Sequence, residues 1–110
     1  MSTGKFLIKT DTRGQFRFNL VAANGRVILT SESYKAKASC MNGIDSVRTH
    51  APANANYERK EAKNGQFMFN LKAANGEIIG TSETYMSTSG RDKGIRSVKR
   101  HAVRASVEEE

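Results

Sequence analysis

The sequence predicts an α+β domain made by tandem duplication of a β-β-β-α unit. Its strands merge into one mostly antiparallel six-stranded sheet with two helices on one face. Three observations carry that prediction: a repeat at a constant offset of 51 residues, period-two alternation on both sides of an Asn-Gly pair, and helical spacing of apolar residues after each hairpin.

The repeat comes first because it organises the rest. FNLVAANGRVILTSESY (Phe18–Tyr34) returns as FNLKAANGEIIGTSETY (Phe69–Tyr85), and 21 of 38 positions agree between Gly14–Ala51 and Gly65–Ala102. The units run from Phe6 to Ala51 and from Tyr57 to Ala102. Residues 52–56 hold the only proline and form a short polar linker; residues 103–110 are expected to be a flexible tail. A chain of 110 residues is too short for two ordinary domains, so the units are expected to share one core about a pseudo-twofold axis.

Within each unit the elements follow in order. A first strand is expected at Lys5–Lys9, where Phe6 and Ile8 alternate, with a more polar counterpart at Tyr57–Lys60. Phe16, Phe18 and Leu20 then share one face of a second strand, as do Phe67, Phe69 and Leu71. Asn24-Gly25 and Asn75-Gly76 follow, a hairpin signal because both residue types tolerate positive φ. A three-residue loop with Gly25 as a bulge pairs Leu20 with Ile28, whereas a two-residue turn pairs Leu20 with Leu29. The first choice gathers Phe, Phe, Leu and Ile of both copies on one face and is preferred. It leaves Leu29, which is Gly80 in the second copy, on the open face.

Beyond Tyr34 and Tyr85 the period changes. Cys40, Ile44, Val47 and Ala51 make a helical apolar face, as do Ile95, Val98 and Ala102. Gly43 and Gly94 sit inside these helices, where glycine costs about 1 kcal/mol relative to alanine. Its use at both positions predicts a close approach to the sheet or to the other helix.

AANG, an apolar strand, Thr-Ser-Glu-x-Tyr, a helix and Gly-Ile-x-Ser-Val-[Arg/Lys] together resemble the YegP-like family of small uncharacterised bacterial proteins, over about Lys5 to Ala102. The resemblance implies repeated β3-α units in one sheet and allows exchange of elements between units, leaving open whether each helix packs on its own unit or crosses to the other. It implies no reaction and no ligand.

Composition narrows the function. No apolar run approaches the roughly 18 residues of a membrane helix, and the first residues do not read as a signal peptide. A single cysteine, Cys40, cannot form an internal disulfide and reads as a small buried apolar residue, so the cytoplasm is the expected compartment. A net charge of +7 favours acidic partners, nucleic acid first.

Four groups of side chains are candidates for chemistry. Ser31, Glu32 and Tyr34, with Ser82, Glu83 and Tyr85, are read as strand-to-helix corners because no histidine lies near them in sequence to act as base. His50 and His101 end the helices, where imidazolium suits the dipole, and no Cys/His cluster suggests a metal. Arg91, Lys93, Arg96, Lys99, Arg100 and Arg104 are the densest cationic run; four of them, Lys93, Arg96, Arg100 and Arg104, share a helical face and could track phosphates. Finally, Arg17, Asn19, Val21, Leu29, Met68, Asn70 and Lys72 are expected on the uncovered sheet face, beside Val27 and Ile78. That mixture has no aromatic on which a base could stack and suits a protein partner better. The sequence therefore reads as a monomeric, non-enzymatic binding module without cofactor or metal. Its expected partner is a protein on the sheet face; the alternative is nucleic acid on the second helix.

Overall fold

The computed structural model describes residues 4–110; residues 1–3, which open the stretch read as unlike a signal peptide, lie outside the described residues. The chain forms β1 (Lys5–Thr10), β2 (Phe16–Val21), β3 (Val27–Thr30), α1 (Lys37–His50), a 3-10 turn (Asn54–Asn56), β4 (Tyr57–Glu61), β5 (Phe67–Lys72), β6 (Ile78–Thr81), α2 (Thr88–Ala102) and β7 (Ser106–Glu109). The sheet order is β4-β5-β6-β3-β2-β1-β7. Its first six strands read the same from either end of the β6–β3 junction, as a pseudo-twofold axis requires. All pairs are antiparallel except β1–β7.

The expected sheet had six strands; the structure has seven. The extra strand comes from the segment expected to be a tail. Ser106–Glu109 lies parallel to β1, and Lys5–Glu108 (3.6 Å) and Lys37–Glu109 are its ion pairs. All four of its residues are exposed, so its side chains contribute little burial and no alternation betrays it.

The AANG loops adopt the expected three-residue form. Ala22 N–H donates to Arg26 O (2.8 Å), Gly25 N–H donates to Ala22 O (2.9 Å), and Gly25 and Gly76 lie at φ +87° and +86°. The register beyond the loop corrects the sequence reading. Val21 pairs with Val27, but Leu20 pairs with Leu29 and Asn19 with Thr30, so Ile28 is an extra residue in β3. This second bulge turns Ile28 and Leu29 to the same side, and both belong to the core. β5 and β6 repeat it, with Leu71 opposite Gly80.

One core fills the space between sheet and helices: Phe6, Ile8, Phe18, Leu20 and Leu29 from one half, Phe69 and Leu71 from the other, and Ile44, Val47, Ile95 and Val98 from the helices. Phe18 stacks on Tyr34 and Phe69 on Tyr85, with ring centroids 6.4 and 6.5 Å apart. The helical glycines serve these tyrosines. A methyl group on Gly43 would lie 2.5 Å from the Tyr34 hydroxyl, and one on Gly94 would lie 2.6 Å from Tyr85 Cζ. The close approach is therefore to the strand-to-helix corner of the same repeat.

The repeats cross over each other. α1 rests on β2 of its own half and on β5 and β6 of the other; α2 rests on β5 and on β2 and β3. The sheet junction itself is narrow, a single registered pair, Thr30 with Thr81. Helix crossing and the shared core therefore do most of the joining.

Candidate nucleic-acid interface

Burial of Ile95, Val98 and Ala102 sets the rotation of α2 and turns Lys93, Arg96 and Arg100 to solvent. Arg104 is exposed just past the helix end. Among the described residues Lys93, Arg96 and Arg100 make no ion pair. The equivalent positions of α1 hold Asn42, Asp45 and Thr49, so only one of the two helices is cationic there.

Two members of the cationic run serve packing instead. The Arg91 guanidinium lies 5.4 Å over the Phe67 ring and donates to Lys60 O (3.4 Å), leaving the side chain 13% exposed. Lys99 lies 5.6 Å from the Tyr57 ring centroid and donates to Asn54 Oδ1 (3.2 Å). Its counterpart Arg48 sits over Phe6 and donates to Ala105 O (2.8 Å) beyond the end of α2.

A cleft of about 280 Å³ opens at the head of the α2 face, between the Ala23-Asn24-Gly25 loop and the helix. Arg26 and Asn24 line one wall; Lys93, Ser97, Tyr85 and Glu83 line the other. Arg26 Nη2 stands 3.6 Å from Glu83 Oε2, both side chains about half-exposed or more. Burial, and secondarily the Glu83 carboxylate, push the Tyr85 phenol above its ordinary pKa, so it is a neutral donor. Arg26 was not among the sequence candidates. Its signal was available, because the second repeat has Glu77 at that position.

The corner hydroxyls are structural. Ser31 Oγ accepts from Phe18 N–H (2.9 Å) and donates to Glu32 O (2.8 Å); Ser82 does the same with Phe69 and Glu83. Asn24 and Asn75 accept from Arg26 and Glu77 N–H at 3.0 Å, fastening the turns at Gly25 and Gly76. The histidines are not dipole-capping cations. His50 Nδ1–H donates to Ser46 O and His101 Nδ1–H to Ser97 O, both at 2.8 Å. Each Nε2 then accepts from the other repeat's loop: Ala74 N–H to His50 (3.2 Å), Ala23 N–H to His101 (3.1 Å). A ring that donates at Nδ1 and accepts at Nε2 is neutral. Among the described residues no three His, Cys, Asp or Glu side chains gather as a metal-binding group, and no helix is long and apolar enough to cross a membrane.

The sheet face is smaller than its residue pattern suggests. Leu29 is not on it but 0% exposed in the core. Val21, Asn19 and Asn70 are buried. Arg17 donates to Ser33 Oγ (2.8 Å), and Lys72 binds Glu58 (3.0 Å), which also accepts from Asn70. Met68, Val27 and Ile78 are half-buried.

Comparison with known proteins matches this geometry to one family. A family model described as a domain of unknown function, DUF1508, matches residues 11–58 and again 62–109. The chain belongs to the DUF1508 family. Its two DUF1508 matches keep the 51-residue offset, and each begins after the first strand and runs past the helix, so the family unit reads β-β-α-β. A UPF0339 protein of Stutzerimonas stutzeri, described as lying in the ptx operon 5′ region, is 53% identical over 97% of this chain and 96% of its own. One from Acinetobacter baylyi is 52% identical over the same shares. The solution NMR structure of YegP from Escherichia coli, a protein of unknown function, superposes with a TM-score of 0.93 at 46% identity, covering 99% of this chain and 94% of that one. A UPF0339 protein of Shewanella oneidensis gives 0.91 at 47% identity, covering 97% and 91%.

Proposed function

We propose that this DUF1508 protein is a non-enzymatic module that binds nucleic acid through phosphate contacts from the exposed face of α2. The observation that carries the reading is that Lys93, Arg96 and Arg100 stand on one exposed face without acidic partners, while α1 has no cation at the equivalent positions. Over the seven steps from Lys93 to Arg100 a helix rises about 10 Å, enough for two or three successive phosphates of one strand. Contacts of this kind go to the backbone and carry no sequence information, so the reading expects sequence-independent binding. A monomer in the cytoplasm is the setting this reading needs.

The test is a salt titration against single-stranded and duplex DNA and RNA. Three phosphate contacts give a log–log slope of about −3 on a duplex, and Arg96→Glu/Arg100→Glu reduces it by about 2. Lys63→Glu, an equal kind of charge reversal in the β4–β5 turn, leaves most of the affinity. Absence of binding at low salt would eliminate the reading.

A second reading, a protein partner on the open sheet face, is supported by the half-buried aliphatic side chains Val27, Ile78 and Met68. It loses Leu29, and Lys72 and Asn70 are already engaged by Glu58. Charge reversal on α2 would leave such binding intact.

A further inference from the structure

We propose that the cleft between the first AANG loop and α2 is a subsite for a phosphate monoester, whether the end of a nucleic-acid strand or a free phosphorylated small molecule. The proposal rests on the α2 reading to the extent that Lys93 belongs to both surfaces.

Cations from opposite walls face the same 280 Å³ space: Arg26 from the first repeat and Lys93 from the second. That volume is just under the range of about 300–1,000 Å³ usual for small-molecule pockets, so it suits a phosphate and its nearest atoms and not a strand passing through. Two further donors line it. Asn24 uses its Oδ1 to hold Arg26 N–H (3.0 Å), which leaves its amide NH₂ available. The Tyr85 phenol lines the cleft, carries its proton and has no hydrogen-bond acceptor among the described residues.

Glu83 decides what kind of anion fits. Its carboxylate stands 3.6 Å from Arg26, longer than a hydrogen bond, with both side chains well exposed. It is a weak internal counterion that an incoming anion must displace. A monoester, with about −1.5 to −2 charge at neutral pH, competes for Arg26 and Lys93 better than the single charge of a backbone diester. Internal symmetry does not explain the arrangement. The equivalent positions in the other half hold Glu77 and Asn42, with Glu32 in place of Glu83, so one site per chain is expected.

The experiment compares one short single-stranded oligonucleotide bearing a 5′-phosphate, a 3′-phosphate or only hydroxyl ends, with AMP and inorganic phosphate followed by amide NMR shifts around Tyr85 and Gly94. At least one phosphorylated end should bind about tenfold tighter than the hydroxyl form. Arg26→Gln should abolish that preference without changing hydroxyl-form affinity, and Glu83→Gln should increase it. Arg96→Glu/Arg100→Glu should weaken all forms together. Equal affinity for phosphorylated and hydroxyl ends, with no shift from AMP or phosphate, overturns the subsite and leaves the α2 reading standing. If no oligonucleotide binds, the α2 reading fails; AMP shifts lost in Arg26→Gln would still support the subsite, and no shifts would overturn it.

Discussion

Leu29 occupies the space that Gly80 leaves: a methyl group at position 80 would lie 2.6 Å from both Cγ and Cδ2 of Leu29. The two positions are equivalent in the repeat, so a large and a small residue interlock where the halves meet.

That interlock makes the pair a test of the shared core. Gly80→Leu should cost about 1–3 kcal/mol by overpacking, and Leu29→Gly should cost at least the 2–5 kcal/mol of an alanine truncation. Exchanging the two residues should recover a good part of the combined loss. Urea melts of the four proteins measure this, and strict additivity of the two single changes would show that the side chains do not share a space.

His101 bears the loop of the other repeat on Nε2; the ring is buried and the bond part-buried. His101→Ala leaves the Ala23 N–H without its acceptor and should cost about 1–3 kcal/mol. His50→Ala should cost less, because His50 is only half-buried and its bond to Ala74 is exposed. Ring ¹⁵N shifts should report the Nδ1–H tautomer at both histidines. An Nε2–H tautomer at either would contradict the assigned bond.

Hydrogen bonds from Lys72, then Asn70, hold the Glu58 carboxyl below the usual carboxylate range. A carboxylate whose folded pKa is depressed adds stability above its unfolded value, and that stability is lost as pH falls through the folded value. Thermal melts between pH 7 and pH 3 should therefore show a smaller acid loss in Glu58→Gln than in the parent chain. Parallel curves would mean that this carboxylate is not linked to folding.

Much of the fold is legible in the sequence because its causes are local. Alternation announces β2 and β5, and Asn-Gly sets the loops. Glycine at two matching helix positions signals a close approach, which proves to be to Tyr34 and Tyr85. What escapes the reading is non-local. The bulge at Ile28 leaves no mark on composition, and it moves Leu29 from the open face to the core. Its difference from Gly80 looks like tolerance when each copy is considered alone and is complementarity when the two meet. The His101–Ala23 bond joins residues 78 apart, and no spacing rule reaches that far. On the candidate site, helical periodicity groups Lys93, Arg96 and Arg100 with Arg104, and only the helix end at Ala102 sets Arg104 apart. Lys99 and Arg91 needed their aromatic partners to be seen.

Crossed helices also bear on what covalent linkage permits. A chain with one repeat would have to recruit a copy of itself to supply the helix and the hairpin contact it lacks, and both helices would then carry the same residues. Joining the halves in one polypeptide frees them to specialise. Here one helix keeps Asn42, Asp45 and Thr49 while the other carries Lys93, Arg96 and Arg100. The scaffold stays symmetric while the exposed faces of its two helices diverge in charge.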